Sequence, residues 1–139
     1  MRDINFMLDD ALSFEGNTGP YAQYTYARTC SILEKAGRDF SQKCGIVSDR
    51  LNDEEVALAK VISTFPVKVE NAIEQYEPSI ITRFILDLSA TFNRFYHNCQ
   101  IITCEDENLR QSRISLTRAT NTVLGTALTL ICIKKTEKI

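Results

Sequence analysis

The chain has no CxxC pair, no tryptophan, a single histidine (His97) and no apolar run of membrane-spanning length. Its five cysteines, Cys30, Cys44, Cys99, Cys104 and Cys132, are odd in number and scattered, which argues against a disulfide framework or a zinc site; they are read as reduced thiols, mostly buried. The longest apolar runs are broken by Thr, Asn, Asp or Arg well short of the roughly 20 residues a membrane span needs, and the opening MRDINF lacks a signal-peptide pattern. The expectation is a cytoplasmic chain that stays clear of membranes. A large charge of one sign is also missing. The net charge of −2 argues against a protein that coats nucleic acid indiscriminately.

Catalytic signatures are equally scarce. GNTG at residues 16–19 lacks the Lys-Ser/Thr of a phosphate loop and follows no strand, so with Pro20 behind it the tetrapeptide reads as a structural turn. His97 lies near Cys99, but no third group orients the pair, and the histidine reads as a helix-end residue rather than a base for a thiolate. Asp9 and Asp10, like Glu54 and Glu55, are sequence neighbours and so sit about 100° apart on a helix, as solvated faces or caps do. No metal site or cofactor is expected in these residues.

What the chain does have is helical periodicity. Ile81, Phe84, Ile85, Leu88, Phe92, Phe95 and Tyr96 recur every three or four residues and predict a helix over 78–97. Pro78 and Pro66 suit first helical turns, the latter opening Val67 to Tyr76, and Asn52 with Glu55 reads as a capping box for Asp53 to Phe65. Leu109, Leu116, Val123, Leu124, Ala127, Leu128 and Ile131 form a last long stripe, with Thr103 as cap and Asp106 as first-turn acid. A short helix over Met7 to Phe14 and a longer one from Pro20 to Ala36, stopped by Gly37, complete the set; the stretch from Gly37 to Asn52 is loop-like, and Gly45 to Val47 is too short to judge as a strand. The fold class is all-α, a bundle of about five or six helices in one domain spanning residues 1–139.

One stretch is chemically loaded: EGNTGPYAQYTYAR, residues 15–28. In a helix opened by Pro20, Tyr21, Tyr24 and Arg28 fall within about 60° of one another and present two rings and a guanidinium. Such a face suits unpaired nucleotides, each ring stacking on a base for roughly 1–3 kcal/mol. The competing reading puts Tyr21 and Tyr24 in a core stripe with Ile32, each phenol bonded to backbone. Tyr26 and Leu33 point elsewhere, as packing residues, and Gln23 faces away from the tyrosine side and braces the turn. Charge is lopsided: residues 110–139 hold six cations (Arg110, Arg113, Arg118, Lys134, Lys135, Lys138) against one acid, Glu137, and residues 1–109 hold ten basic and seventeen acidic groups. That basic end would give phosphates a landing surface.

DDALSFEGNTGPYAQYTYARTCSIL, EPSIITRFILDLSATFNRFYHNC, EDENLRQSRISLTRAT and the tail LICIKKTEKI together resemble, in order and over almost the whole chain, the C-terminal anticodon-binding (DALR) domain of arginyl-tRNA synthetases. The resemblance implies an all-helical domain appended to a class I catalytic domain, with Met1 near the place where that catalytic body gives way to the bundle. HIGH and KMSKS-like motifs do not occur in these residues, so ATP and arginine would be bound by a catalytic domain outside this chain, and no catalysis is expected here. By the same resemblance, Tyr21 and Tyr24 of GPYxQY meet the anticodon loop of an arginine tRNA, Arg28 supports the loop's backbone, Tyr96 of FYHxC adds a ring, and the tail with Lys134, Lys135 and Ile139 lies against the loop. Tyr26 stands where the family commonly has histidine. Cys132 and Thr136 replace the usual glycine and proline of the tail, and Ile139 a frequent methionine. The alternative is a free-standing helical protein-interaction module derived from such a domain, with the face of residues 15–28 packed on a partner. Partners implied by the main reading are the anticodon stem-loop and the synthetase catalytic domain.

Overall fold

A threonine, a proline and a glycine bound the first helix, α1 (Gly19–Ala36). The Thr18 side chain accepts from the Tyr21 amide at 3.2 Å, Pro20 occupies the first turn, and Gly37 closes the helix at φ +78°, a left-handed value that costs glycine little. The computed structural model describes residues 18–37 and 50–138, so the expectations for Met7 to Phe14, for Gly45 to Val47 and for most of the intervening loop-like stretch fall outside the described residues.

The second helix, α2 (Asp53–Ser63), opens on the expected capping box: the Glu55 amide donates to Asn52 Oδ1 at 2.9 Å, and the Asn52 amide donates to Glu55 Oε2 at 2.6 Å. It stops at Ser63 rather than Phe65, because Pro66 has no N–H to donate back to Ile62 and instead sits in the first turn of α3 (Phe65–Glu74). That helix ends two residues before Tyr76, which turns the chain at φ +53° while the Glu77 amide reaches back to the Ala72 carbonyl at 3.0 Å. Pro78 lies one residue outside α4 (Ser79–Asn98). The cap of α5 (Glu107–Leu130) is Asp106, whose carboxylate accepts from the Leu109 amide at 3.0 Å, and the first-turn acid is Glu107. Thr103, the expected cap, lies three residues too early.

Of the five helices among the described residues, four pack around α4, which touches each of them. The predicted stripe supplies the centre: Leu88, Phe92 and Phe95 are fully buried, with Leu58 of α2 and Leu124 and Leu128 of α5 against them. Truncating either phenylalanine to alanine costs about 3–5 kcal/mol on the usual cavity scale. Of five buried threonines, four (Thr25, Thr29, Thr117 and Thr120) donate to a carbonyl one turn earlier in their own helix, as in Thr25 to Tyr21 O (3.0 Å) and Thr120 to Leu116 O (2.9 Å). Where α1 crosses α5, close approach is made possible by a missing side chain: a Cβ built on Gly125 would meet Tyr26 Cε2 at 2.9 Å. The expected all-α bundle is therefore present, and no strand occurs among the described residues.

Candidate nucleic-acid interface

The register fixed by Thr18 and Pro20 turns Tyr21, Tyr24 and Arg28 toward α4, where Asn93 and Tyr96 stand one turn apart. The Arg28 guanidinium lies 4.7 Å from the ring centroid of Tyr24 and 4.7 Å from that of Tyr96, a cation held between two aromatic faces. Tyr96 is backed by the fully buried Phe92, with ring centroids 6.5 Å apart and planes 22° from parallel. Tyr24 and Tyr96 nevertheless stay 39% and 43% exposed, so both rings keep surface for a ligand. The core-stripe reading fails for Tyr24, and Tyr21 is half-buried with its phenol bonded to a side chain rather than to backbone.

Asn93 joins the two helices. Its Oδ1 accepts from Arg28 Nη1 at 2.7 Å, and its Nδ2 donates to Tyr21 Oη at 2.9 Å and to Thr25 Oγ1 at 3.0 Å. Beside this network runs an open groove of about 720 Å³ lined by Tyr21, Arg28, Asn93, Arg94, Tyr96 and His97 among others. Asn93 was not legible as a site residue. The signal available was its spacing of three from Tyr96, which places both on one face of α4.

The structure thus gathers Tyr21, Tyr24, Arg28 and Tyr96 at one crossing. Lys134 and Lys135 are not among the groove's lining residues. They follow α5 on another flank of α1, where Gln23 Nε2 donates to the Lys134 carbonyl at 2.8 Å and Lys135 Cδ lies 3.4 Å from the Cβ position of Gly125. Gln23 is a brace, as expected, but it braces the tail rather than its own turn. The tail leaves α5 through Cys132 at φ +60°, with the Ile133 amide bonded to the Leu128 carbonyl at 2.9 Å. A glycine would take that backbone conformation without steric cost. Ile139 lies outside the described residues.

The expected basic landing surface is smaller than its formal charge. Arg113 is turned inward: its Nε bonds Glu55 Oε1 at 2.5 Å and its Nη1 the Gln100 carbonyl at 2.7 Å, with the Glu55 side chain wholly buried. Burial opposes the charge on Arg113, but the hydrogen bond and charge of Glu55 outweigh it and hold the guanidinium above its ordinary value. Arg110 pairs with Glu107 one turn away. Lys134, Lys135 and Lys138 remain exposed. Burial also pushes the Cys99 thiol up, against the opposing pull of a bond from Asn52 Nδ2, which removes the thiolate reading of His97 and Cys99. Of the described cysteines, Cys99 and Cys104 are buried, Cys30 is half-buried and Cys132 exposed; all are free thiols. Among the described residues no group of His, Cys, Asp or Glu is placed to hold a metal, and no helix is long and apolar enough to cross a membrane.

Comparison with known proteins places this architecture. A family model described as DALR anticodon binding domain matches residues 22–139. An arginine-tRNA ligase of Halothermothrix orenii is 46% identical over 138 residues, covering 99% of this chain and 24% of that protein. One of Lactobacillus johnsonii is 43% identical over 131 residues, covering 94% and 23%. Among solved structures, the arginyl-tRNA synthetase of Thermus thermophilus superposes with a TM-score of 0.85 at 35% identity, over 96% of this chain and 23% of that one. The Plasmodium falciparum arginyl-tRNA synthetase gives 0.81 at 28% identity, over the same shares. This chain spans about a quarter of the length of the relatives it matches.

Proposed function

The chain belongs to the DALR anticodon binding domain family, and from that premise we propose that it grips the anticodon arm of an arginine tRNA as the anticodon-binding part of an arginyl-tRNA synthetase, with residues 1–139 as one such domain. The observation that carries the proposal is the Tyr24, Arg28, Tyr96 stack at the rim of an open groove. Arg28 covers part of both rings, and their remaining surface offers planes on which unpaired bases stack. Arg28 spends Nη1 on Asn93, so its first task is to order the rings, with any loop phosphate taking its other donors. The tail lysines, on the adjoining flank, add an electrostatic approach path for the loop's phosphates.

Catalysis is assigned to a part of the synthetase outside these residues, which would bind ATP and arginine and pack as a partner domain. The chain would work in the cytoplasm, where tRNA is charged. Its rival, a protein-interaction module using the same face, differs in its response to salt: an RNA site loses affinity steeply as salt rises, whereas an apolar docking surface responds far less.

The deciding experiment titrates the anticodon stem-loop of an arginine tRNA against the wild type and Tyr24→Ala at two salt concentrations. Losing one stacking ring lowers affinity about 5- to 150-fold, and wild-type affinity falls with salt. A Tyr24→Ala protein that is folded and binds as tightly as the wild type removes the stacking role.

A further inference from the structure

The hydrogen bonds around Asn93 have a direction that chemistry alone determines. Arginine has no acceptor, so the Asn93 atom facing Arg28 Nη1 at 2.7 Å is the carbonyl oxygen Oδ1. The Thr25 hydroxyl already donates its one proton to the Tyr21 carbonyl at 3.0 Å, so toward Asn93 it accepts. The amide nitrogen must therefore face Thr25 and Tyr21, and Nδ2 gives one N–H to each, at 3.0 and 2.9 Å. It follows that the Tyr21 phenol oxygen is an acceptor toward the protein. Its own proton is left for the groove, which Tyr21 lines.

We infer that Asn93 is a positioning residue that polarises Tyr21 into a hydrogen-bond donor facing the groove, so that the ligand group docking there is an acceptor: a base carbonyl, an unprotonated ring nitrogen or a phosphate oxygen. This rests on the anticodon-arm reading above and adds a chemical sign to one contact. An exocyclic amino group at that point would leave the phenol proton without an acceptor and pair less well than a carbonyl, ring nitrogen or phosphate oxygen. The sequence alone holds no trace of this, since Asn93 and Tyr21 are 72 residues apart.

Asn93→Asp tests it. A carboxylate at that position keeps a partner for Arg28 but accepts the Tyr21 proton, turning the phenol away from the groove. The new charge also weakens RNA binding for an unrelated reason, so Asn93→Asp is measured in the wild type and in Tyr21→Phe, which has no proton to turn. The expected result is that Tyr21→Phe weakens stem-loop binding about fivefold, and that Asn93→Asp costs about fivefold more in the wild type than in the Tyr21→Phe background. Equal costs in the two backgrounds overturn the inference even when Tyr24→Ala shows that the stem-loop is bound. Neutron diffraction from deuterium-exchanged crystals of the unliganded chain decides the same point without RNA. A Tyr21 hydroxyl deuterium turned away from Asn93 supports it, and one aimed at Asn93 overturns it. A failure of the stem-loop to bind at all would count against the anticodon-arm reading while leaving the neutron result to decide the proton's direction.

Discussion

Gly125→Ala is the substitution for which general helix chemistry and this structure disagree in sign. Gly125 lies inside α5, and in an exposed helix interior replacing glycine with alanine stabilises by about 1 kcal/mol. Here the new Cβ would stand 2.9 Å from Tyr26 Cε2, closer than real Cβ atoms approach a neighbour, with its Cζ in ordinary contact at 3.5 Å. The ring has little freedom to retreat, because Tyr26 is 8% exposed and packed in the α1 and α5 seam. Overpacking of this kind costs about 2 kcal/mol, which the propensity gain reduces to a net loss of about 1 kcal/mol. For a domain of this size that lowers Tm by about 3–5 °C. Thermal and urea unfolding followed by circular dichroism measure it. In a Tyr26→Ala background the obstacle is gone, and the same substitution should stabilise by about 0.5–1 kcal/mol. A rise in Tm for Gly125→Ala in the wild type would refute the argument, because it would mean the seam yields at no cost.

The other expectations concern buried charge, backbone and pH. Arg113→Met strands the buried Glu55 carboxylate and should cost about 3–5 kcal/mol in urea unfolding, whereas Lys134→Ala should stay within about 0.5 kcal/mol of wild type; equal, small effects would return Arg113 to the surface. Cys132→Gly relieves a left-handed backbone at φ +60° and should stabilise by about 1 kcal/mol, a gain that vanishes if the tail takes another path in solution. Burial first, and then the neighbouring Cys30, hold the Tyr26 phenol above its ordinary value. A raised folded value means the folded state keeps this proton longer than the unfolded one. The corresponding stability is therefore complete below about pH 10 and is lost as pH rises past that point. Tyr26→Phe should show a shallower alkaline loss in a pH series of urea midpoints, and an unchanged slope would contradict the assignment.

Local signals were legible in the sequence, and sidedness was not. Pro20, Asn52 with Glu55, and the apolar stripe from Ile81 to Tyr96 act within one or two helical turns, and each produced the element it announced, although Tyr96, the last of the stripe, is exposed rather than in the core. The tyrosine face was legible for the same reason: three residues at helical spacing share a side whatever packs beside them. Thr103 misled because a threonine before a helix and an aspartate three residues on resemble a cap followed by a first-turn acid, and only the Leu109 amide shows which of them caps. Arg113 misled because formal charge carries no direction. Its inward turn depends on Glu55, 58 residues away, and on the Gln100 carbonyl. Asn93 was invisible because an asparagine within a helix has no local signature of a contact made 65 and 72 residues away.

The correction to the charge count changes what the surface can achieve. Each phosphate neutralised on a single strand contributes a slope of about −0.7 to the dependence of log affinity on log salt. Six available cations from residue 110 onward would make binding strongly electrostatic, near a slope of about −4, and correspondingly tolerant of sequence. With Arg113 bonded to Glu55 and Arg110 paired with Glu107, four of the six are left, the half-buried Arg118 and three exposed tail lysines, and the lysines alone contribute at most about half of that slope. The acidic remainder of the chain further discourages binding by charge alone. On the proposed reading, discrimination would fall to groups with fixed geometry that the fold holds already ordered: the Tyr24 and Tyr96 rings on either side of the Arg28 guanidinium, and the Tyr21 phenol bonded by the Asn93 amide of the next helix. Ordering those side chains is part of folding rather than of binding, so little of the stacking energy is spent on immobilising them when a loop arrives.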